Sequence, residues 1–69
     1  MSHIGQKRIG LKIKLARVAR HVTQQQLAAR AEIAQGYLSQ VESGERTPSD
    51  EVVESIQRAL GVDFDSDEL

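Results

Sequence analysis

The sequence predicts an all-α fold, a compact bundle of about four to five short helices. Ile9, Ile13 and Ala16 recur at spacings of four and three residues, which is the period of an amphipathic helix. The chain contains one proline, Pro48, and its five glycines fall near candidate helix boundaries. Runs of β-branched residues and strict alternation of apolar and polar residues, both typical of strands, are missing. Helices are therefore the elements expected throughout the chain.

The first two helices have recognisable boundaries. Helix one is predicted from about Gly5 to Arg20. The stretch from Thr23 to Gln26 then fits a capping box, in which the Thr23 side chain accepts from the Gln26 backbone N–H and the Gln26 side chain bonds back to the cap. Helix two continues to about Ala31. Its inward residues are Leu27, Ala28 and Ala31.

Residues 32–34 form a short connection to the next helix. Helix three is predicted from about Gln35 to Ser43, with Gly44 closing it. Two starts are open for helix four: Ser49 as the cap, which we favour, or Thr47 as the cap with Pro48 in the first turn. Gly61 would end helix four, and residues 63–69 form an acidic tail that is a candidate for a short fifth helix.

Charge is distributed unevenly along the 69 residues. Residues 1–31 contain seven basic and no acidic residues, whereas residues 32–69 contain two basic and all ten acidic residues. The two parts therefore carry formal charges of +7 and −8, which the total of −1 conceals. Such asymmetry suggests a surface that binds a polyanion. At this length we expect a single domain, 1–69, with its core in residues 5–62.

Composition excludes several other classes of protein. No cysteine is present for a disulfide or a thiolate metal site. No apolar run approaches the roughly 18 residues of a membrane helix, and the N-terminus lacks the apolar stretch of a secretory signal, so a cytoplasmic location is expected. We find no catalytic set, no metal-ligand spacing around the two histidines and no phosphate loop. The expectation is a protein that is not an enzyme and has no metal, cofactor or small-molecule ligand.

Residues 23–49 have the layout of a helix-turn-helix, because two short helices are joined there by three residues. The second helix of this motif enters the major groove of DNA. The residue types fit the packing that the motif needs: Ala28 is small where the helices cross, and Ile33 fills the turn. At 100° per residue, helix three turns Leu38, Val41 and Glu42 inward.

The opposite side of helix three is polar and uncharged. A solvated helix would more often carry Glu and Lys there, whereas Gln can pair bidentately with adenine N6 and N7. This face is therefore predicted to contact DNA bases. Its members are Gly36, Ser39, Gln40 and Ser43, with Gln35 and Tyr37 on the flanks.

The chain resembles the Xre-type helix-turn-helix family, the DNA-binding domain of phage Cro and lambda-type repressors. The resemblance spans about Ile9 to Val62 and implies a five-helix DNA-binding domain that acts as a dimer on a two-fold operator. The expected function is that of a transcriptional regulator, as a repressor or autoregulator. The motifs are Gly10-x-x-Ile13-x-x-x-Arg17, Thr23-Gln24-x-x-Leu27-Ala28, Tyr37-Leu38-Ser39-x-Val41-Glu42-x-Gly44, Pro48-Ser49 and Ala59-Leu60-Gly61-Val62.

The resemblance also implies roles for particular residues. Arg17 and Glu42 match a structural ion pair between helices one and three. Gln24 would contact a phosphate at the positive N-terminus of helix two. The positions that contact bases are Gln35, Gly36, Tyr37 and Gln40, and those that contact phosphates are Gln24, Ser39, Ser43 and Arg46. The other basic residues of the first half are expected to form a general basic surface.

Three residues depart from the family pattern around the turn. Glu32 occupies a position that is usually Gly and often left-handed, which costs about 1–2 kcal/mol for another residue. Ala34 replaces the usual Ser or Thr cap of helix three, with a loss of about 1 kcal/mol. His21 replaces a common Gly at the end of helix one.

A second apolar stripe on helix one, formed by Leu11, Leu15 and Val18, leaves other functions open. Either the bundle buries part of this stripe, or it is a surface for a partner or a second copy. Phe64 and Leu69 pose the same question at the other end of the chain. The rival function is a protein-interaction module on the same fold, an adaptor or an antitoxin. A further alternative is the N-terminal domain of a longer regulator.

Overall fold

The computed structural model describes the backbone of residues 2–64 and the side chains of residues 9–64. It contains four helices: α1 Ser2–Ala19, α2 Gln24–Ala31, α3 Gln35–Ser43 and α4 Asp50–Leu60. No strand occurs within residues 2–64, and the all-α prediction is confirmed. The tail residues 65–69, which include most of the predicted fifth helix, lie outside the described residues. None of the helices in the described part combines the length and apolar content needed to cross a bilayer.

The bounds of α2, α3 and α4 agree with the predicted ones, whereas α1 begins at Ser2 rather than near Gly5. A glycine inside a helix costs about 1 kcal/mol relative to alanine but does not by itself stop the helix, so Gly5 was a poor boundary marker. At its other end, α1 stops at Ala19, before a left-handed residue, His21, with φ 58°. The N–H of Val22 then donates to the carbonyl of Arg17 at 3.1 Å, which closes the last turn.

Side-chain caps fix the starts of α2 and α4. The Gln26 backbone N–H donates to Thr23 Oγ1 and the Thr23 N–H donates to Gln26 Oε1, both at 3.0 Å, so the predicted capping box is confirmed. At α4 the Val52 N–H donates to Ser49 Oγ at 3.2 Å. Ser49 is therefore the cap, and the alternative start with Thr47 as the cap is wrong.

Every helix contributes at least one fully buried aliphatic residue to the core: Ile13, Leu27, Leu38, Val41 and Ile56. Phe64 closes the core from beyond α4, with only 4% of its surface exposed, and its backbone N–H donates to Gln57 Oε1 at 2.9 Å. Of the two alternatives left open for Phe64, burial by the bundle is therefore confirmed. The ring fills space that the four short helices leave open at one end.

The stripe on α1 has the opposite outcome. Leu11, Leu15 and Val18 are 52%, 59% and 52% exposed, so the bundle does not bury this stripe. The reason is helical periodicity: Ile13 of α1 points into the core, and the three stripe residues lie roughly opposite it at 100° per residue.

The turn between α2 and α3 contains the backbone strain that the sequence predicted. Glu32 is left-handed, with φ 60° and ψ 44°. We expect Glu32→Gly to raise the free energy of unfolding by about 1 kcal/mol, because Gly adopts this conformation without a Cβ penalty. Urea unfolding followed by circular dichroism measures the change.

Ala29→Gly is the matched control, because Ala29 is an exposed residue inside α2. It should lower the free energy of unfolding by about 1 kcal/mol. The two substitutions are thus expected to have opposite signs. Equal destabilisation by both would show that the left-handed conformation of Glu32 carries no strain.

Candidate nucleic-acid interface

The α2–turn–α3 unit has the packing that a helix-turn-helix requires. Ala28 is buried in the core cluster and Ile33 packs against that cluster from the turn. The Ile33 N–H donates to the carbonyl of Ala28 at 2.9 Å, so the chain turns directly from the end of α2 into α3. No side chain caps the N-terminus of α3, where Ala34 occupies the cap position.

The predicted division of α3 into two faces is confirmed by burial. Leu38, Val41 and Glu42 are buried beneath the helix. Gln40 and Tyr37 are half-buried, and Tyr37 packs against the edge of the core. The exposed members of the outer face are Gln35, Gly36, Ser39 and Ser43. The outer face of α3 therefore lacks any charged residue.

Glu42, the acidic residue of α3, is neutralised from α1. Arg17 Nε donates to Glu42 Oε2 at 2.7 Å and Arg17 Nη2 donates to Glu42 Oε1 at 2.9 Å, which is a bidentate ion pair. The two side chains are only 11% and 3% exposed. The hydrogen bond with Glu42 raises the pKa of Arg17 above its ordinary value. The third nitrogen, Nη1, donates to the Val22 carbonyl at 2.9 Å, so the pair joins α1, α3 and the segment before α2.

Gln24 is attached to the same carboxylate. Its Nε2 donates to Glu42 Oε1 at 3.0 Å, which draws the first residue of α2 toward α3. Gln24 lines a shallow cleft together with Ser39 and Ser43, so three of the four predicted phosphate contacts lie side by side. The fourth, Arg46, lies beyond the C-terminal end of α3.

Lys14 is the residue in this cleft whose role the sequence did not predict. The sequence predicts only that Lys14 belongs to a general basic surface. In the structure its exposed side chain lines the cleft with Gln24, Ser39 and Ser43. A signal for it was present, because Lys14 precedes Arg17 by one helical turn and Arg17 pairs with α3. Among the described side chains of α1, it is the basic one that lines the cleft.

The Arg46 side chain lies against residues on the outer face of α3 and its flank. Its Nε donates to Gln40 Oε1 at 2.9 Å. Its guanidinium carbon lies 5.9 Å from the centroid of the Tyr37 ring, within the range of a cation–π contact. The structure therefore brings Gln40 and Tyr37, predicted to contact bases, together with Arg46, predicted to contact phosphate.

These features define a class of protein. A helix-turn-helix with an uncharged polar face on its second helix and cations at both borders is the arrangement of a DNA-binding module. Comparison with known families agrees: the helix-turn-helix family model matches residues 13–66, and the chain belongs to this family. The predicted resemblance to Xre-type and lambda-type domains is thereby confirmed.

Two relatives are similar in sequence. They are uncharacterized HTH-type transcriptional regulators of Mycobacterium tuberculosis, Rv0474 from strain H37Rv and MT0491 from strain CDC 1551. Each is 46% identical to this chain over 50 residues, which are 72% of this chain but 36% of the relative. The match therefore spans about a third of each relative.

One solved structure has the same fold. It is the restriction-modification controller protein C.AhdI from Aeromonas hydrophila, with a TM-score of 0.82 and 23% sequence identity. The superposition covers 87% of this chain and 91% of the controller protein. The family match shows that the chain is a helix-turn-helix protein, and the superposition shows that it shares the fold of the controller protein.

Proposed function

We propose that this chain binds double-stranded DNA in a sequence-dependent manner, with α3 in the major groove, and acts without catalysis as a repressor or autoregulator. The observation that carries the proposal is the uncharged, exposed polar face of α3 above an aliphatic core. The names of the two mycobacterial relatives, both HTH-type transcriptional regulators, point the same way. The two relatives are bacterial proteins, and by analogy with them we place this action in the cytoplasm, where bacterial DNA lies.

The base contacts are assigned to the outer face and its flanks. Gln35 and Gln40 bring amide groups to base edges, and Tyr37 borders the same face. Gly36 allows a close approach of the helix backbone to DNA, because a Cβ at this position would have no neighbour within 4 Å and points into open space.

The phosphate contacts are assigned to the borders of α3. Gln24 lies at the N-terminus of α2, where the helix dipole and free N–H groups favour an anion. Ser39 and Ser43 share its cleft, and Lys14 adds a positive charge there. Arg46 supplies a second cation past the end of α3. Contacts of this kind position the protein on the duplex, whereas specificity comes from the bases.

The test of this function uses Gln40→Ala on a DNA site selected from a random pool. We expect the variant to bind the selected site at least about fivefold more weakly than the wild type, since a specific base contact by one side chain contributes about 1–3 kcal/mol of discrimination. Affinity for random duplex should stay the same. Fluorescence anisotropy with labelled duplexes measures both.

Glu54→Ala is the control variant, because Glu54 is an exposed residue of α4. It should leave both affinities close to those of the wild type. If Gln40→Ala also left binding to the selected site and to random duplex unchanged, α3 would not be the helix that recognises the sequence.

A second candidate function is a protein-interaction module, favoured by the exposed apolar stripe of Leu11, Leu15 and Val18. Salt dependence separates the two functions. For a DNA-binding protein, the logarithm of the binding constant falls linearly with the logarithm of salt concentration, because bound cations are released from DNA. An adaptor would bind duplex weakly at every salt concentration.

We further assign the stripe to a contact between two copies of the chain on a two-fold operator. One module of this size covers a half-site, and paired half-sites lie about 34 Å apart. The stripe is suited to the dimer contact because helical periodicity places Leu11 and Leu15 away from the side of α1 that faces α3. A dimer formed there leaves both recognition helices accessible.

Leu15→Asp tests this assignment. Because Leu15 is 59% exposed, the substitution should leave the fold intact. It should convert a dimer into a monomer in sedimentation and weaken binding to the two-fold site while leaving a single half-site unaffected. Ala29→Asp, which adds the same charge at an exposed position of α2, should remain dimeric. A wild-type chain that stays monomeric at high concentration, with and without operator, would rule out the assignment.

A further inference from the structure

The segment after α3 folds back onto the end of that helix, and most of its backbone hydrogen bonds go to the Gln40 carbonyl. Gly44 adopts a left-handed conformation with φ 86°, which reverses the chain direction at the end of the helix. The N–H groups of Glu45 and Arg46 then donate to the Gln40 carbonyl at 2.9 and 3.2 Å. Ser43 Oγ donates to the same carbonyl at 3.1 Å. The backbone of Arg46 is thus fixed beside Gln40 before its side chain makes any contact.

The Arg46 side chain is held on two sides. Its Nε donates to Gln40 Oε1 at 2.9 Å, and its guanidinium carbon lies 5.9 Å from the centroid of the Tyr37 ring. Tyr37 itself packs against the core, which restricts the ring. Because backbone and side chain are both constrained, little conformational entropy remains to be lost when Arg46 keeps this position on DNA.

This contact decides which hydrogen-bonding group Gln40 offers to DNA. A glutamine amide has a carbonyl oxygen with two lone pairs that accept and an NH₂ group with two hydrogens that donate. Arg46 donates to the oxygen, and because its guanidinium is charged this bond is stronger than a neutral one. It occupies one lone pair and fixes the direction of the amide, whereas both NH₂ hydrogens remain available to the base edge. Gln40 therefore presents a donor to the major groove.

Bases differ in how they match such a donor. Bidentate recognition of adenine needs the glutamine oxygen to accept from N6 while the nitrogen donates to N7. Guanine instead presents two acceptors, N7 and O6, in the major groove. A Gln40 side chain whose oxygen is already bonded to Arg46 matches guanine better than adenine.

We propose that Arg46 is a positioning residue that fixes Gln40 as a hydrogen-bond donor, so that the base recognised by Gln40 is guanine rather than adenine. The inference rests on the proposed function, because it requires α3 in the major groove. Arg46 keeps its two terminal nitrogens for a phosphate, so both roles are compatible. Specificity at this base is then set by a residue outside the recognition helix.

The first experiment uses the free protein and needs no DNA. The side-chain amide resonances of Gln40, assigned by NMR, should shift in Arg46→Ala because the Nε–Oε1 hydrogen bond is lost. Arg58→Ala is the matched control, since Arg58 is an exposed arginine of α4 whose Nη2 lies 3.4 Å from Ser55 Oγ. It should leave these resonances in place. Unchanged Gln40 resonances in Arg46→Ala would overturn the inference.

The second experiment measures base preference. The base pair recognised by Gln40 is identified as the one at which Gln40→Ala loses discrimination, and all four base pairs are then tested there. The wild type should prefer guanine over adenine by at least about fivefold. Arg46→Ala should lose this preference and favour adenine, whereas Arg58→Ala should keep it.

Two results would overturn the inference while leaving the proposed function intact. One is a wild-type preference for adenine at this base pair. The other is an Arg46→Ala variant that binds all four duplexes more weakly by one common factor, which is the behaviour of a phosphate contact alone. A wild-type chain with no sequence preference at any base pair would instead reject the proposed function, and it would do so before any Arg46 variant is compared.

Discussion

Replacing Arg17 with methionine is expected to lower the free energy of unfolding by about 3–5 kcal/mol, the range for breaking a buried ion pair from one side. The substitution removes the cation from Glu42, whose side chain is 3% exposed in the intact pair, and leaves Gln24 Nε2 as a side-chain donor to the carboxylate. The Val22 carbonyl also loses its bond to Arg17 Nη1. Urea unfolding followed by circular dichroism measures the loss.

Two variants make this expectation specific to the buried pair. Arg20→Met removes an exposed arginine from the end of the same helix, where Nη1 bonds the Ala16 carbonyl at 3.1 Å, and should change stability by less than about 0.5 kcal/mol. The double variant Arg17→Met with Glu42→Leu should recover much of the loss, because no uncompensated charge stays buried. A loss in Arg17→Met no larger than that in Arg20→Met would contradict the proposed importance of the pair.

Replacing Gly10 with alanine is expected to lower the free energy of unfolding by about 1–3 kcal/mol, the usual effect of overpacking. A Cβ at Gly10 would collide with the Val41 carbonyl oxygen and would lie 3.2 Å from the Glu42 carbonyl oxygen. Both are backbone atoms of α3, so relief requires α1 and α3 to separate. Thermal and urea unfolding of the variant measure the effect.

Gly36→Ala is the matched control, since it makes the same substitution inside α3 at a position where no atom lies within 4 Å of the new Cβ. There the higher helix propensity of alanine should raise the free energy of unfolding by about 1 kcal/mol. The two Gly→Ala substitutions are thus expected to differ in sign. If Gly10→Ala were stabilising as well, the close approach of α1 to α3 would have to be abandoned.

Local signals explain how much of the fold was predictable. Thr23, Ser49, Gly44 and Gly61 mark helix ends through bonds or conformations that involve only neighbouring residues, and the predicted bounds of α2, α3 and α4 agree with the structure. The beginning of α1 was placed too late because Gly5 is a weak stop within an otherwise helical segment. The burial of Phe64 was left open by the sequence, because it depends on tertiary contacts made beyond the end of α4.

The candidate site was likewise predictable where local geometry determines it and not where tertiary contacts do. Helical periodicity alone predicted which side of α3 is exposed. The bonds of Gln24 to Glu42 and of Arg46 to Gln40 were not predicted, because each depends on tertiary geometry. The first joins residues 18 positions apart, and the second depends on the direction in which the chain leaves Gly44. Sequence spacing carries no information on either.

The close approach of α1 to α3 at Gly10 limits how far one helix can move relative to the other. Here the main chain of α1 lies directly on the main chain of α3, so no side chain can change rotamer to absorb a shift between them. Leu11 follows at once and belongs to the exposed stripe. In a dimer joined through that stripe, the distance from each α1 to its own α3 would be fixed by main-chain geometry. Substitutions at the surface of α1 would then change the contact between two copies without changing how α3 is held within each copy.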